Sequence, residues 1–142
     1  FQQAHAQLLN DVYAGVLRTT AHSRDVLTQL HAHYPMVLVS NFYGNVNTVL
    51  REFQLDHLFN DAVESAMVGI RKPDPRIYKM GVDCLNLSPS EVVVVGDSFY
   101  KDIEPAKKIG CQAVWFKGES WTNEQYDETF PDRVITDLAQ LL

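Results

Sequence analysis

A chain of 142 residues, 46% apolar and 21% charged, has the composition of one folded domain with a real core, which excludes a disordered tail. Its net charge of −6 argues against nucleic acid or anionic lipid as partners, since both are held chiefly by Lys and Arg. Cys84 and Cys111 have no metal-ligand spacing and are too few for a disulfide scaffold, and no stretch approaches the ~20 apolar residues of a membrane helix, so a soluble cytoplasmic protein is expected.

The opening "FQQAHAQLLN" lacks the basic start and apolar run of a signal peptide. Residues 1–18 are predicted helical, with Ala4, Leu8, Val12 and Val16 repeating on one face. "AHSRDVLTQLHAHYP" reads as a second helix, capped by Ser23, faced by Val26, Leu27 and Leu30, and ended by Pro35. "MVLVS" (residues 36–40) follows as a short continuous apolar strand, the kind buried on both faces in a parallel sheet.

The pattern repeats downstream. "NVNTVLREFQL" places Val46, Val49, Leu50 and Phe53 at helical spacing, and a brief strand around "AVESAM" leads into the breaker-rich "GIRKPDP". Asp74 and Pro75 suit the N-cap and first position of a helix whose apolar face is Ile77, Tyr78, Val82 and Leu85. Ser88-Pro89 turns the chain into a valine strand. A helix over residues 102–109, stopped by Gly110, a strand "QAVWF" and a short one near Val134 complete the order. Residues 117–133, polar and aromatic, match no element. Alternating strands and helices predict an α/β fold, a parallel sheet flanked by helices, with ligands gathered at the carboxyl ends of the strands.

Those ends carry the candidate chemistry. Asp97 directly follows the valine strand. A carboxylate there is costly unless paired, so it either caps its own turn or holds a hard divalent cation such as Mg²⁺. Asp102, in the first turn of a helix, is equally explained by the helix dipole, but with Asp97 it places two acids around one loop. Ser40 and Asn41 close the "MVLVS" strand, where they either cap the next helix or hold phosphate oxygens. Lys72, beside Arg71, is either a solvated loop lysine or a neutraliser of phosphoryl charge. His5, His22, His31, His33 and His57 are scattered without a ligand arrangement and read as surface residues. No dinucleotide loop, P-loop or G-x-S-x-G is present.

In order and spacing, "VLVSNF", "GIRKPDPRIY" and "VVVVGDSFYKDI" resemble the second, third and fourth motifs of the haloacid dehalogenase-like hydrolase superfamily, over residues 22–117. The resemblance implies a Rossmann-like core with a cap domain, residues 1–20 being the tail of a helical cap and 21–142 the core lacking its first strand. It assigns Ser40, Asn41 and Lys72 to the phosphoryl group, Ser40 and Lys72 as catalytic residues, and Asp97 and Asp102 to Mg²⁺. It also implies a small phosphomonoester as substrate, attacked by an aspartate that becomes phosphorylated.

That aspartate belongs to an Asp-x-Asp first motif, and the sequence has none. The expectation is therefore the C-terminal part of a longer Mg²⁺-dependent phosphohydrolase, inactive by itself. Without its central strand, the neighbouring strands would keep unpaired edges, one of which is open to a second copy of the chain. A non-catalytic remnant that binds a ligand or partner is the alternative. A haloacid dehalogenase is a lesser one, since family dehalogenases work without metal and lack the acidic Gly-Asp motif.

Overall fold

The computed structural model describes residues 2–119 and 124–142 of the chain. Helix α1 runs unbroken over Gln2–His31, which corrects the division expected at Ser23. No Gly or Pro stands between Val16 and Tyr34 to stop propagation. The hydroxyls of Thr19, Thr20 and Thr28 donate back to the carbonyls of Gly15, Val16 and Arg24 within the same helix, so none of them starts a new one. The outer half of α1 exposes Leu8, Leu9, Val12 and Tyr13, while Val26 in its inner half is buried.

Strand β1 (Val37–Ser40), helix α2 (Val46–Glu52), strand β2 (Asp61–Glu64) and the single turn α3 (Ser65–Val68) follow. Helix α4 (Pro75–Leu85) starts as its sequence predicts, the Asp74 side chain accepting from the Arg76 N–H at 2.9 Å with Pro75 in the first position. Strand β3 (Val93–Gly96) passes through a π turn over Phe99–Ile103 into helix α5 (Glu104–Lys108), and β4 (Gln112–Phe116) and β5 (Arg133–Ile135) complete the chain's strands. Gly110 ends α5 at φ +89°, a left-handed conformation that favours glycine.

Among the described residues all pairings are parallel, but they form two sheets. β1 pairs with β2, Val37 opposite Asp61 and Ser40 opposite Glu64. Separately, β4 lies between β3 and β5, Gly96 opposite Trp115 and Val114 opposite Arg133. Helix α4 spans both. Its buried Ile77 and Tyr78 pack with Val63 against Val37 and Val39 of β1 and against Val94 of β3. At Gly81 the helix comes so close that an added Cβ would lie 2.8 Å from Val39 Cγ2.

The valine strand is not buried on both faces. Val93 and Val95 are 49% and 39% exposed, whereas Val92 and Val94 pack inward. Alternate residues of a strand share a face, and only one face of β3 is covered. The stretch without an assigned element closes the second core: Tyr126 stacks on Phe99 at 4.5 Å, and Asp132 accepts from the Ala113 N–H at 2.7 Å and from Lys107 at 2.9 Å. Residues 120–123 of that stretch lie outside the described ones. No helix among the described residues is long and apolar enough to cross a membrane.

Candidate active site

The predicted site residues stand at strand ends and in the loops beyond them. Ser40 is the last residue of β1, Asn41 opens the loop that follows, Lys72 lies in the loop before α4, and Asp97 directly follows β3. Asp102 sits in the π turn, whose backbone returns to the strand end through the Asp102 N–H donating to the Ser98 carbonyl at 2.8 Å.

Asp102 organises this end of the molecule. It is 2% exposed, and both of its oxygens are engaged. Oδ1 accepts from Lys72 Nζ at 2.8 Å and from the Tyr78 hydroxyl at 2.5 Å, while Oδ2 accepts from the Ser98 N–H at 2.9 Å. A buried carboxylate survives when charge and hydrogen bonds replace the water it loses, and Lys72 and two neutral donors do so here. Gly96 makes the arrangement possible, because a Cβ there would meet Asp102 Cβ at 2.4 Å.

Sequence reasoning counted Tyr78 only as part of an apolar face. Burial, then the negative charge of Asp102 and the bond to it, and then the charge of Asp97 push the phenol far above its ordinary range. It therefore remains a hydroxyl donor. The available signal was a polar-tipped aromatic on the buried face of a helix, where such a tip needs a partner.

Asn41 links the two loops. Its Nδ2 donates to the Lys72 carbonyl at 3.1 Å, and its Oδ1 accepts from the Lys72 N–H at 2.8 Å. The side chain is thus spent on the Lys72 backbone. Ser40 and Asp97 differ from this bonded frame. Among the described residues neither the Ser40 hydroxyl nor the Asp97 carboxylate has a hydrogen-bond partner, and Asp97 is exposed. The Asp97 backbone is nevertheless anchored, its carbonyl accepting from Trp115 Nε1 at 3.0 Å.

The same distinction bears on a metal. Magnesium is commonly held by one or two carboxylates, with water and substrate oxygens completing the shell. Asp97 fits as a direct ligand. Asp102, buried and already holding three donors, fits better as the group that orders the loop behind Asp97. Among the described residues no cluster of three or more His, Cys, Asp or Glu side chains stands ready for a metal. A groove of about 570 Å³ lined by Phe99, Glu104, Lys107, Tyr126 and Phe130 contains none of Ser40, Lys72 and Asp97.

Known proteins resemble the chain in sequence and in fold. A family model described as haloacid dehalogenase-like hydrolase matches residues 4–110. A glyceraldehyde 3-phosphate phosphatase of Pyrococcus furiosus is 40% identical over 91 residues, 63% of this chain and 38% of that protein. A phosphoserine phosphatase of Thermus thermophilus is 34% identical over 61% of this chain and 34% of its own length. A crystal structure of a HAD phosphatase from Thermococcus onnurineus superposes with a TM-score of 0.75 at 26% identity, over 84% of this chain and 54% of that one. The chain therefore spans about half or less of the length of these three proteins.

Proposed function

The chain belongs to the haloacid dehalogenase-like hydrolases, and from that premise we propose that its whole protein hydrolyses a small phosphomonoester through a phosphorylated aspartate. The residues described above hold the phosphoryl group and the cation, while the attacking carboxylate comes from outside them. The observation that carries this reading is the Lys72–Asp102 pair. An ammonium fixed at 2.8 Å from a buried carboxylate is a preorganised positive charge, its backbone tied to Asn41, the residue after Ser40, and its carboxylate partner seated in the turn that follows Asp97.

Each group has a task. The Ser40 hydroxyl donates to a phosphoryl oxygen. Lys72, with N–H donors beyond the one given to Asp102, faces the charge that grows on the transferring group. Asp102 and Tyr78 hold that lysine in place. Asp97 would hold Mg²⁺ directly, and the ion would supply neutralisation of phosphate charge. The open edges support an external nucleophile: among the described residues β1 bonds only β2, and β3 bonds only β4. A further parallel strand bearing the aspartate would fit between them. Its carboxylate attacks phosphorus, the bond to the leaving oxygen breaks as that oxygen takes a proton from the second aspartate of the Asp-x-Asp motif, and water, giving its proton back to that acid, cleaves the acyl phosphate to inorganic phosphate and the free carboxylate. Relatives named for glyceraldehyde 3-phosphate and phosphoserine support a small substrate.

The test uses the complete protein containing this chain. Lys72→Ala should lower kcat/KM for p-nitrophenyl phosphate about 10²–10³-fold, the usual cost of removing one transition-state donor. Activity within a few-fold of wild type would overturn the assignment. Full activity on a haloacid in excess chelator would favour a dehalogenase, and no turnover of any phosphomonoester would favour a non-catalytic binding module.

A further inference from the structure

The proposed chemistry leaves one buried acid without a task. Glu64, 5% exposed, ends β2 opposite Ser40 in the register. Its Oε1 accepts from the backbone N–H of Gly44 at 2.6 Å and of Val46 at 3.3 Å. Val46 opens α2, and Asn45 before it makes no side-chain cap, so a neighbouring strand satisfies donors that the helix start leaves open. The next residue does the same for the first part of the loop. Ser65 Oγ accepts from the Phe42 N–H at 3.1 Å and donates to the Phe42 carbonyl at 3.3 Å.

These bonds pin a short segment that begins at Asn41, the residue clamped to both backbone groups of Lys72. An uncharged side chain would fill the space at lower desolvation cost if packing alone mattered. A carboxylate accepts from backbone N–H groups more strongly than a neutral oxygen, which suits a loop whose shape must be held. We propose that Glu64 is a positioning residue: through Gly44 and Val46 it holds the 41–45 loop so that Asn41 keeps the Lys72 backbone, and with it the ammonium, in place. The consequence for catalysis rests on the phosphohydrolase reading, whereas the mechanical link does not.

Amide hydrogen exchange of the complete protein containing this chain separates the two. Glu64→Leu, which removes the acceptor, should speed exchange at Gly44, Val46 and Lys72 by about tenfold or more while β4 amides stay unchanged. Glu64→Gln keeps an acceptor oxygen and should restore much of the protection. Faster exchange at Gly44 and Val46 with Lys72 unmoved would overturn the proposal, leaving Glu64 as a helix cap only. Should the Leu variant fail to fold, Glu64→Asp, one methylene shorter, carries the same comparison. In the complete protein the Leu variant should lower kcat about tenfold with little change in KM, and Gln should recover it. A fall in KM-dependent binding alone, with kcat intact, would count against positioning of Lys72. A wild-type protein without phosphatase activity would sink the functional reading yet leave the exchange result standing.

Discussion

In the three-stranded sheet, Ala113 and Trp115 are buried in one cluster with Phe99, Ile103 and Ala106, and Val114 and Ile135 are buried as well, whereas all four residues of β1 in the two-stranded sheet are only half-buried. Yet each sheet contributes to the proposed site: Asp97 and Asp102 follow β3, and Ser40 ends β1. The difference teaches that the acidic half rests on a closed core, while the serine half borrows its rigidity through α4 and through hydrogen bonds across the strand ends. A site shared in this way is only as precise as the links between its halves.

The largest expected contrast lies in the cores themselves. Ile103 is fully buried, so Ile103→Ala should cost about 2–5 kcal/mol from lost contacts and the cavity left behind. Val39→Ala, on a half-buried strand, should cost about 1 kcal/mol. Chemical denaturation of both variants measures the gap. Equal losses would mean that the two-stranded sheet is as well supported as its neighbour.

Gly96→Ala attacks the link directly and should come next in size. The added Cβ would lie 2.4 Å from Asp102 Cβ and 2.6 Å from its Oδ2, and three donors keep Asp102 from yielding. A cost of about 1–3 kcal/mol is expected, as for other overpacked sites. A rise in Lys72 amide exchange should accompany it, because the lysine loses its partner. A variant as stable as wild type, with Lys72 unmoved, would show that the frame tolerates displacement of Asp102.

Much of this was legible from local signals. Apolar runs located the strands, and Asp74 with Pro75 and Gly110 marked helix boundaries, because each uses chemistry confined to neighbouring residues. Lys72 and the two acids were visible for the same reason. The unbroken α1 was less so, since Ser23 has the right type for a cap and only continuing helix around it decides otherwise. Long-range partners were not legible. The bonds from Tyr78 to Asp102, from Asn41 to Lys72 and from Glu64 to Gly44 join residues 24, 31 and 20 positions apart, and no local pattern encodes them.

The smallest effect concerns how α1 fastens onto the two halves. Toward the two-stranded side, Arg24 donates to the Phe53 carbonyl at 3.2 Å and the Tyr13 hydroxyl to Glu52 at 2.6 Å. Toward the other end of the chain, His22 Nε2 lies 2.9 Å from Asp137 Oδ1, and this contact depends on pH. The bond to Asp137 and its charge, aided by Asp25, raise the His22 pKa, and His22 in turn lowers that of Asp137. A raised histidine contributes fully below its ordinary value of 6.5 and loses that contribution as pH rises through its folded pKa. A lowered aspartate contributes above its ordinary 3.8 and loses that contribution as pH falls through its folded pKa. The fastening is therefore expected between those two folded values and should weaken above the upper one. Both side chains are exposed, so solvent screening keeps the stability change small, and the titration itself is the better readout. NMR of the His22 ring should give a midpoint above the ordinary value, and Asp137→Asn should bring it down. A midpoint at the ordinary value, unmoved by the substitution, would mean that α1 is held from the Phe53 side alone.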